Sequence, residues 1–308
     1  MQEKQFKIAK TFNLNIPEEL MIRGFAERTA FVPAIEPDYQ FRKELISDVL
    51  AWHMLGGTEG IYLTGPTGSG KSTLMTQVAA RLNIPVQRVT AHSRLETPEL
   101  IGHYALVDGS MSFVDGPLTK AMKEGHWFLL DEIDLLDPAT AAGLNGIVEG
   151  SPLVIPEKNG EVVYPADGFR FIATGNTAGA GDKTGLYQGT MRQNMAFLDR
   201  FWMVEIGYPE QEQEQQILAK VAPGIPEDVR DGMIAYATEV RKLFVAGQLE
   251  ITLSTRTLVR WAKMSEFFRP LANQGKNPLQ HALERALTFR AEPETRSSLT
   301  EIAQRIFG

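Results

Sequence analysis

One stretch, Gly65-Pro66-Thr67-Gly68-Ser69-Gly70-Lys71-Ser72, restricts this chain more than any other. It follows an apolar run, Ile61-Tyr62-Leu63-Thr64, and leads into Leu74, Val78, Ala79 and Leu82, which recur at helical spacing. Strand, glycine-rich loop and helix, in that order, is the context in which G-x-x-x-x-G-K-[ST] reads as a phosphate-binding loop. The glycines let successive backbone N–H groups converge on phosphate oxygens. The helix opening at Lys71 turns its positive dipole end to the same point. Lys71 adds a cation for the β- and γ-phosphates, and the Ser72 hydroxyl is a ligand for Mg²⁺.

The segments that follow extend this unit. Val86-Gln87-Arg88-Val89 reads as a second strand, which makes a βαβ unit and therefore a parallel sheet. The apolar run from His126 through Leu130 ends in Asp131-Glu132, so a buried parallel strand presents two acids at its carboxyl end. Asp131 is placed to hold Mg²⁺, and Glu132 to orient and deprotonate an attacking water. Residues 139–149 read as one helix. Phe169 to Thr174 reads as another buried strand, and Asn176 just beyond it is placed to hydrogen-bond a γ-phosphate or the water. A fifth strand covers residues 202–206. Two hairpins interrupt this series, one turning at Asp108-Gly109 and one at Asn159-Gly160. Residues 1–30 are weakly patterned and read as an N-terminal arm. Tyr208-Pro209 marks a boundary, so the α/β domain spans residues 31–208, and residues 209–308 are helical throughout. Ser254 or Thr255 can cap one of those helices, and Arg256 in its first turn opposes the helix dipole unless an anion such as phosphate holds it there.

Composition narrows the function classes. A formal charge of -7 with no basic run argues against general nucleic-acid binding. The absence of cysteine removes disulfides, thiolate zinc sites and thiol catalysis. The five histidines show no metal-ligand spacing. The amino terminus lacks the apolar core of a secretory signal, and there is no apolar run long enough to span a bilayer, so the cytoplasm is the expected compartment.

These motifs together resemble the AAA+ ATPases of the MoxR type, above all the cobaltochelatase small ATPase subunit and the activators of nitric-oxide reductase and Rubisco. The resemblance covers residues 30–270. It rests on the loop at 65–72, Leu129-Leu130-Asp131-Glu132, Ala173-Thr174-Gly175-Asn176-Thr177, Gly181-Asp182-Lys183-Thr184-Gly185-Leu186-Tyr187, Leu198-Asp199-Arg200-Phe201 and Ser254-Thr255-Arg256-Thr257. The two hairpins fall where this branch carries its insertions, and Val32-Pro33 to Asp38-Tyr39 resembles the segment that borders the adenine. The implied fold is α/β: a P-loop AAA+ core with a central five-stranded parallel sheet flanked by helices, two β-hairpin insertions and a C-terminal all-α lid. The resemblance implies that Gly65 through Ser72, with Thr73, hold ATP, that Asp131 and Ser72 serve Mg²⁺, and that Glu132 and Asn176 act as Walker B acid and sensor 1. It implies that Arg200 is an arginine finger acting on a neighbour's ATP, with Arg192 as its rival, and that Arg256 is sensor 2. Where the family has Ser-Pro-Arg at that last position, this chain has Ser254-Thr255-Arg256. The type assembles as homo-oligomeric rings, usually hexamers, often beside a von Willebrand factor A domain protein, and remodels or metallates a protein client.

A nucleic-acid motor is the competing expectation, because helicase rings of a neighbouring branch carry the same hairpins. The tips here are acidic or neutral apart from Lys158, whereas a hairpin that tracks DNA needs several cations. A non-hydrolysing scaffold fits poorly with Glu132 and Asn176 both present.

Overall fold

The computed structural model describes residues 2–182, 185 and 187–308. Lys183, Thr184 and Leu186 of the glycine-rich motif lie outside the described residues. The chain divides into two compact units, residues 1–65 with 71–206, and residues 66–70 with 207–308.

The first unit is built on a parallel sheet. Its strands are β3 (Gly60–Thr64), β4 (Val86–Thr90), β7 (Trp127–Asp131), β10 (Arg170–Gly175) and β11 (Phe201–Glu205), in the spatial order β11-β3-β10-β7-β4. Both faces are covered, and successive side chains go to opposite cores as the pleat requires. Trp127 and Leu129 of β7 enter one core with Ile61, Leu63 and Ile172. Phe128 and Leu130 enter the other with Tyr62, Phe171 and Phe201. In the second of these cores the Phe128, Phe171 and Phe201 rings follow one another at 5.3 and 5.9 Å, separations that favour edge and tilted packing.

Residues 1–30 belong to this unit. β1 (Glu3–Lys7) and β2 (Met21–Phe25) pair antiparallel, joined through the short helix Ile8–Phe12. Ile8, Phe12, Ile22 and Phe25 are buried in the same core as Trp52 and Trp127. The two further hairpins are β5 (Gly102–Val107) with β6 (Ser110–Asp115), and β8 (Leu153–Ile155) with β9 (Glu161–Val163). Their turns have positive φ at two successive residues, Asp108 with Gly109 and Asn159 with Gly160, the geometry that matches strand twist. The hairpins are tied to each other. Lys123 reaches Asp115 at 2.6 Å and Glu161 at 2.7 Å, Lys158 reaches the same two acids at 3.1 and 2.7 Å, and Tyr104 donates to the Glu157 carbonyl.

The single helix expected over residues 139–149 is instead two short ones, Pro138–Ala142 and Asn145–Val148. Gly143 and the pair Asn145-Gly146 are poor helix formers, and they interrupt the run at the point where Leu144 and Ile147 must both reach the core.

The second unit holds the helices Gln211–Val221, Glu227–Val245, Thr255–Phe267, Pro278–Ala286 and Pro293–Phe307. Tyr236, Trp261, Leu258, Met233 and Leu299 fill their common core. The polar ends of the two large aromatics are satisfied, Tyr236 by the Leu299 carbonyl and Trp261 by that of Leu279.

Candidate active site

The carboxyl ends of β7 and β10 bring four chemically active side chains to the start of the helix Lys71–Leu82. Lys71 is 8% exposed, and its Nζ donates to the Gly65 carbonyl at 2.7 Å and to Asn176 Oδ1 at 2.9 Å. The Asn176 amide donates in turn to Glu132 Oε2 at 2.8 Å. Only this orientation of the amide works, since an ammonium cannot accept and a carboxylate cannot donate. Asn176 thus connects the cation to the acid. Gly65 has φ of +142°, and a Cβ there would fall 2.1 Å from the Ile206 carbonyl oxygen, so only glycine fits where the loop leaves the sheet.

Asp131 is buried at 3% exposure and fully engaged. Its Oδ1 accepts from Ser72 at 2.6 Å and from Thr174 at 2.9 Å, and its Oδ2 accepts from Arg88 Nε at 2.5 Å. Glu132, directly after it, has φ 58° and ψ 39°, the left-handed region. That conformation costs a non-glycine residue about 1–2 kcal/mol. The surrounding bonds impose it: Glu132 N–H donates to Thr174, and its carboxylate accepts from Asn176.

Beneath this layer lies Asp134, fully buried. Tyr62 donates to its Oδ1 at 2.5 Å, while the backbone N–H groups of Asn176 and Thr177 both donate to its Oδ2. Burial, and next the Asp134 charge, push the Tyr62 hydroxyl far above its usual pKa, so it remains a donor. Asp134 therefore sets the backbone from which Asn176 projects. In the helix Lys71–Leu82, the buried Gln77 accepts from Glu36 N–H and donates to the Ala34 carbonyl, which holds the segment expected to border the adenine.

The second unit contains the tip of the glycine-rich loop. Tyr208 donates to the Thr67 carbonyl at 3.0 Å, and a Cβ on Gly68 would lie 2.4 Å from that of Ser254. The guanidinium of Arg241 lies 4.1 Å from the centre of the Tyr208 ring and makes a two-point pair with Glu214 at 2.9 and 2.7 Å. Glu214 also accepts from Thr255. Ser254 caps the helix Thr255–Phe267 by accepting from Thr257 N–H, and Arg256 in its first turn is exposed.

Comparison with known proteins agrees with this arrangement. Residues 60–201 match the AAA domain of the dynein-related subfamily, and residues 214–306 match the CbbQ/NirQ/NorQ C-terminal family. The aerobic cobaltochelatase subunit CobS of a Sinorhizobium species is 33% identical, over 83% of this chain and 80% of that protein. The chain belongs to the AAA+ ATPases of the MoxR type. Protein NorQ of Paracoccus denitrificans is 31% identical to this ATPase, over 80% of this chain and 86% of the relative. A RuvB mutant from Thermotoga maritima shares the fold at a TM-score of 0.51 and 15% identity, over 79% of this chain and 68% of that one.

This MoxR-type chain is an ATP hydrolase with a nucleotide-binding core. Its candidate residues fall into three places. Lys71, Ser72, Asp131, Glu132 and Asn176 meet at the carboxyl edge of the sheet. Arg200 does not join them. It directly precedes β11, where Phe201 pairs with Gly60, at the opposite edge from Thr64 and the loop. Its side chain pairs with Glu149 at 3.0 Å and donates to the Ala196 carbonyl. Arg192 is exposed beside a bridge to Ala180, in a segment whose Met191 N–H donates to the Asp134 carbonyl. Four partners escape a reading of the sequence: Asp134, Tyr62, Thr174 and Arg88. The one local cue is alternation. Arg88 and Thr90 share a face of β4, as Thr174 and Ile172 share one of β10, but nothing local says which acid they meet. Among the described residues no cluster of three or more His, Cys, Asp or Glu side chains could hold a metal, and no helix is long and apolar enough to cross a membrane.

Proposed function

We propose that this ATPase works as a homo-oligomeric ring, six-membered as is usual for its type, in which Mg²⁺-dependent ATP hydrolysis remodels a protein client or drives metal insertion into it. The observation that carries the reading is the separation of Arg200 from its own Glu132. An arginine at the opposite edge of the sheet serves hydrolysis only from a neighbouring subunit, and a trans-acting arginine is worth about 10³–10⁵ in rate in related hydrolases.

In this reading residues 65–73 cradle the triphosphate, with Lys71 countering its charge. Ser72 and Asp131 suit Mg²⁺, being hard oxygen donors within 2.6 Å of each other and few enough to leave room for water and phosphate. Mg²⁺ held by these two residues would supply positive charge that counters the charge of the phosphates. Glu132 accepts the proton of the attacking water, while Asn176 holds that carboxylate in place. Arg256 contributes a further cation from the helical unit. The relationship to an aerobic cobaltochelatase subunit supports metal insertion as the work performed; the partner with a von Willebrand factor A domain is what the resemblance to the MoxR type implies. The nucleic-acid reading finds no support: Lys158, the one basic residue at the hairpin tips, is committed to Asp115 and Glu161.

Mixing two inactive variants tests the reading. Arg200→Ala and Lys71→Ala should each abolish turnover alone. In an equal mixture, random assembly pairs an intact loop with an intact arginine at about one interface in four, so about a quarter of wild-type activity should return. A mixture as inactive as its components would overturn the trans assignment.

A further inference from the structure

We propose that the Glu214–Arg241 pair positions two elements for nucleotide binding: the first turn of the helix that carries Arg256, and the tip of the phosphate-binding loop. The proposal rests on the reading of Arg256 as a cation for ATP. All these residues lie in the second unit, which contains residues 66–70 together with 207–308. The side chain of Glu214 is 1% exposed and that of Arg241 11%. Such a buried ion pair is often no more stabilising than well-packed apolar side chains, but a two-point guanidinium–carboxylate pair holds in one geometry. What it holds is therefore the question.

Arg256 needs an anchor nearby. It lies in the first turn of the helix Thr255–Phe267, where the dipole disfavours a cation, and that turn has no acid of its own. It is exposed and has no ion pair among the described residues. The buried pair grips the chain on both sides of the N-cap that precedes it. Arg241 Nε donates to the Leu253 carbonyl at 2.8 Å, and Thr255 Oγ1 donates to Glu214 at 2.9 Å. Ser254, between them, accepts from Thr257 N–H. The Glu214 carboxylate also places a negative charge at the helix start, which offsets the dipole.

The backbone at this point would accept a second kind of anchor. Thr255 is the first helical residue, whose N–H has no partner within the helix. Ser254 has φ -70° and ψ 161°, the extended conformation that a following proline requires. A proline at 255 would fix the helix start through its ring, whereas Thr255 fixes it through a hydrogen bond to a buried carboxylate. The loop tip uses the same pair. The Arg241 guanidinium lies 4.1 Å from the centre of the Tyr208 ring, and the Tyr208 hydroxyl donates to the Thr67 carbonyl at 3.0 Å. One buried pair thereby sets both Thr67, within the loop that cradles phosphate, and the residue next to Arg256.

Binding of a fluorescent, non-hydrolysable ATP analogue with Mg²⁺ to the full-length protein tests the anchor. Thr255→Val keeps the shape and removes the hydroxyl, and should weaken binding about threefold or more. Thr255→Ser, which keeps the hydroxyl, should bind as the wild type does. Thr255→Pro also lacks the hydroxyl but pre-sets the helix start, and should recover most of the affinity lost in Thr255→Val. Loss of a merely structural hydrogen bond would be the same in both. Glu214→Gln should weaken binding, and by less when combined with Thr255→Pro. Tyr208→Phe keeps the ring over Arg241 and should cost about twofold or more through the loop tip. Wild-type affinity in Thr255→Val, or equal losses in Thr255→Val and Thr255→Pro, overturns the proposal, and the Thr255 series decides this even if Glu214→Gln fails to fold. Wild-type affinity in Tyr208→Phe overturns the part assigned to the loop. Arg256→Ala separates the proposal from the reading beneath it and should bind about tenfold more weakly. Wild-type affinity there removes that reading and the proposal with it, whereas weak binding there beside wild-type affinity in Thr255→Val overturns the proposal alone.

Discussion

Asp134 offers the sharpest test of how this site is held. Its carboxylate takes three donors in a fully buried position: the Tyr62 hydroxyl and the backbone N–H groups of Asn176 and Thr177. Asp134→Ala leaves all three without an acceptor. Each orphaned buried donor costs about 1–3 kcal/mol, and breaking a buried charged network costs about 3–5 kcal/mol once relaxation and water entry are allowed for. Asp134→Asn behaves differently. Its amide oxygen can serve both backbone donors, and its NH₂ can donate to a Tyr62 hydroxyl that has turned to accept. That variant loses only the charge assistance, about 1–2 kcal/mol. Urea melts should therefore place Ala about 1–4 kcal/mol below Asn. Turnover should follow the same order, because Asn176 projects from the backbone that Asp134 fixes: kcat should fall about tenfold or more in Asp134→Ala, with KM for ATP nearly unchanged. If Asp134→Ala melts within about 1 kcal/mol of wild type and keeps its kcat, Asp134 does not hold Asn176 and the account given of the site is wrong.

Glu132→Gln should keep ATP affinity within about threefold of wild type and slow hydrolysis by about 10²–10⁴, as loss of a general base does; rapid-quench turnover beside nucleotide titration checks both, and a near-normal rate would remove Glu132 from that role. His53 makes stability depend on pH. Burial is the main cause that lowers its pKa from 6.5 to about 4, so the unfolded chain binds the proton more readily. Stability from this group is complete above pH 6.5 and is lost as the pH falls towards 4, by about 3 kcal/mol in total. Urea melts over that window should show a slope in the wild type that exceeds the slope in His53→Gln by this amount, and parallel slopes would refute the assignment.

The parts of the fold legible in the sequence were those with local causes. A glycine-rich loop between an apolar run and a helical stripe, and Asp-Gly or Asn-Gly between alternating residues, specify conformation within a few residues. β3, β7, β10 and β11 were legible as largely apolar runs, and β4 as a short run carrying β-branched Val86 and Val89. β1 was not, because its burial depends on β2, fourteen residues further on, and its own side chains are mostly exposed. The break at Gly143 was hidden by good helical spacing on either side of it. In the site, Lys71, Asp131 and Glu132 announce themselves by motif. Asp134, Tyr62, Thr174 and Arg88 act through contacts 42 to 72 residues away in sequence, and only the register of β3, β4, β7 and β10 decides those partners.

The pair of lysines joining the two hairpins has a mechanical consequence. Lys123 and Lys158 each bond to one acid from the first hairpin, Asp115, and one from the second, Glu161. Lys123 also belongs to the helix Pro117–Glu124, whose Leu118, Ala121 and Met122 are embedded in the core beside β7. The two hairpins are thus linked to each other and, through this helix, to the core beside the strand that ends in Asp131. Whatever meets one of these hairpins therefore also meets the other, one short strand away from Asp131 and Glu132.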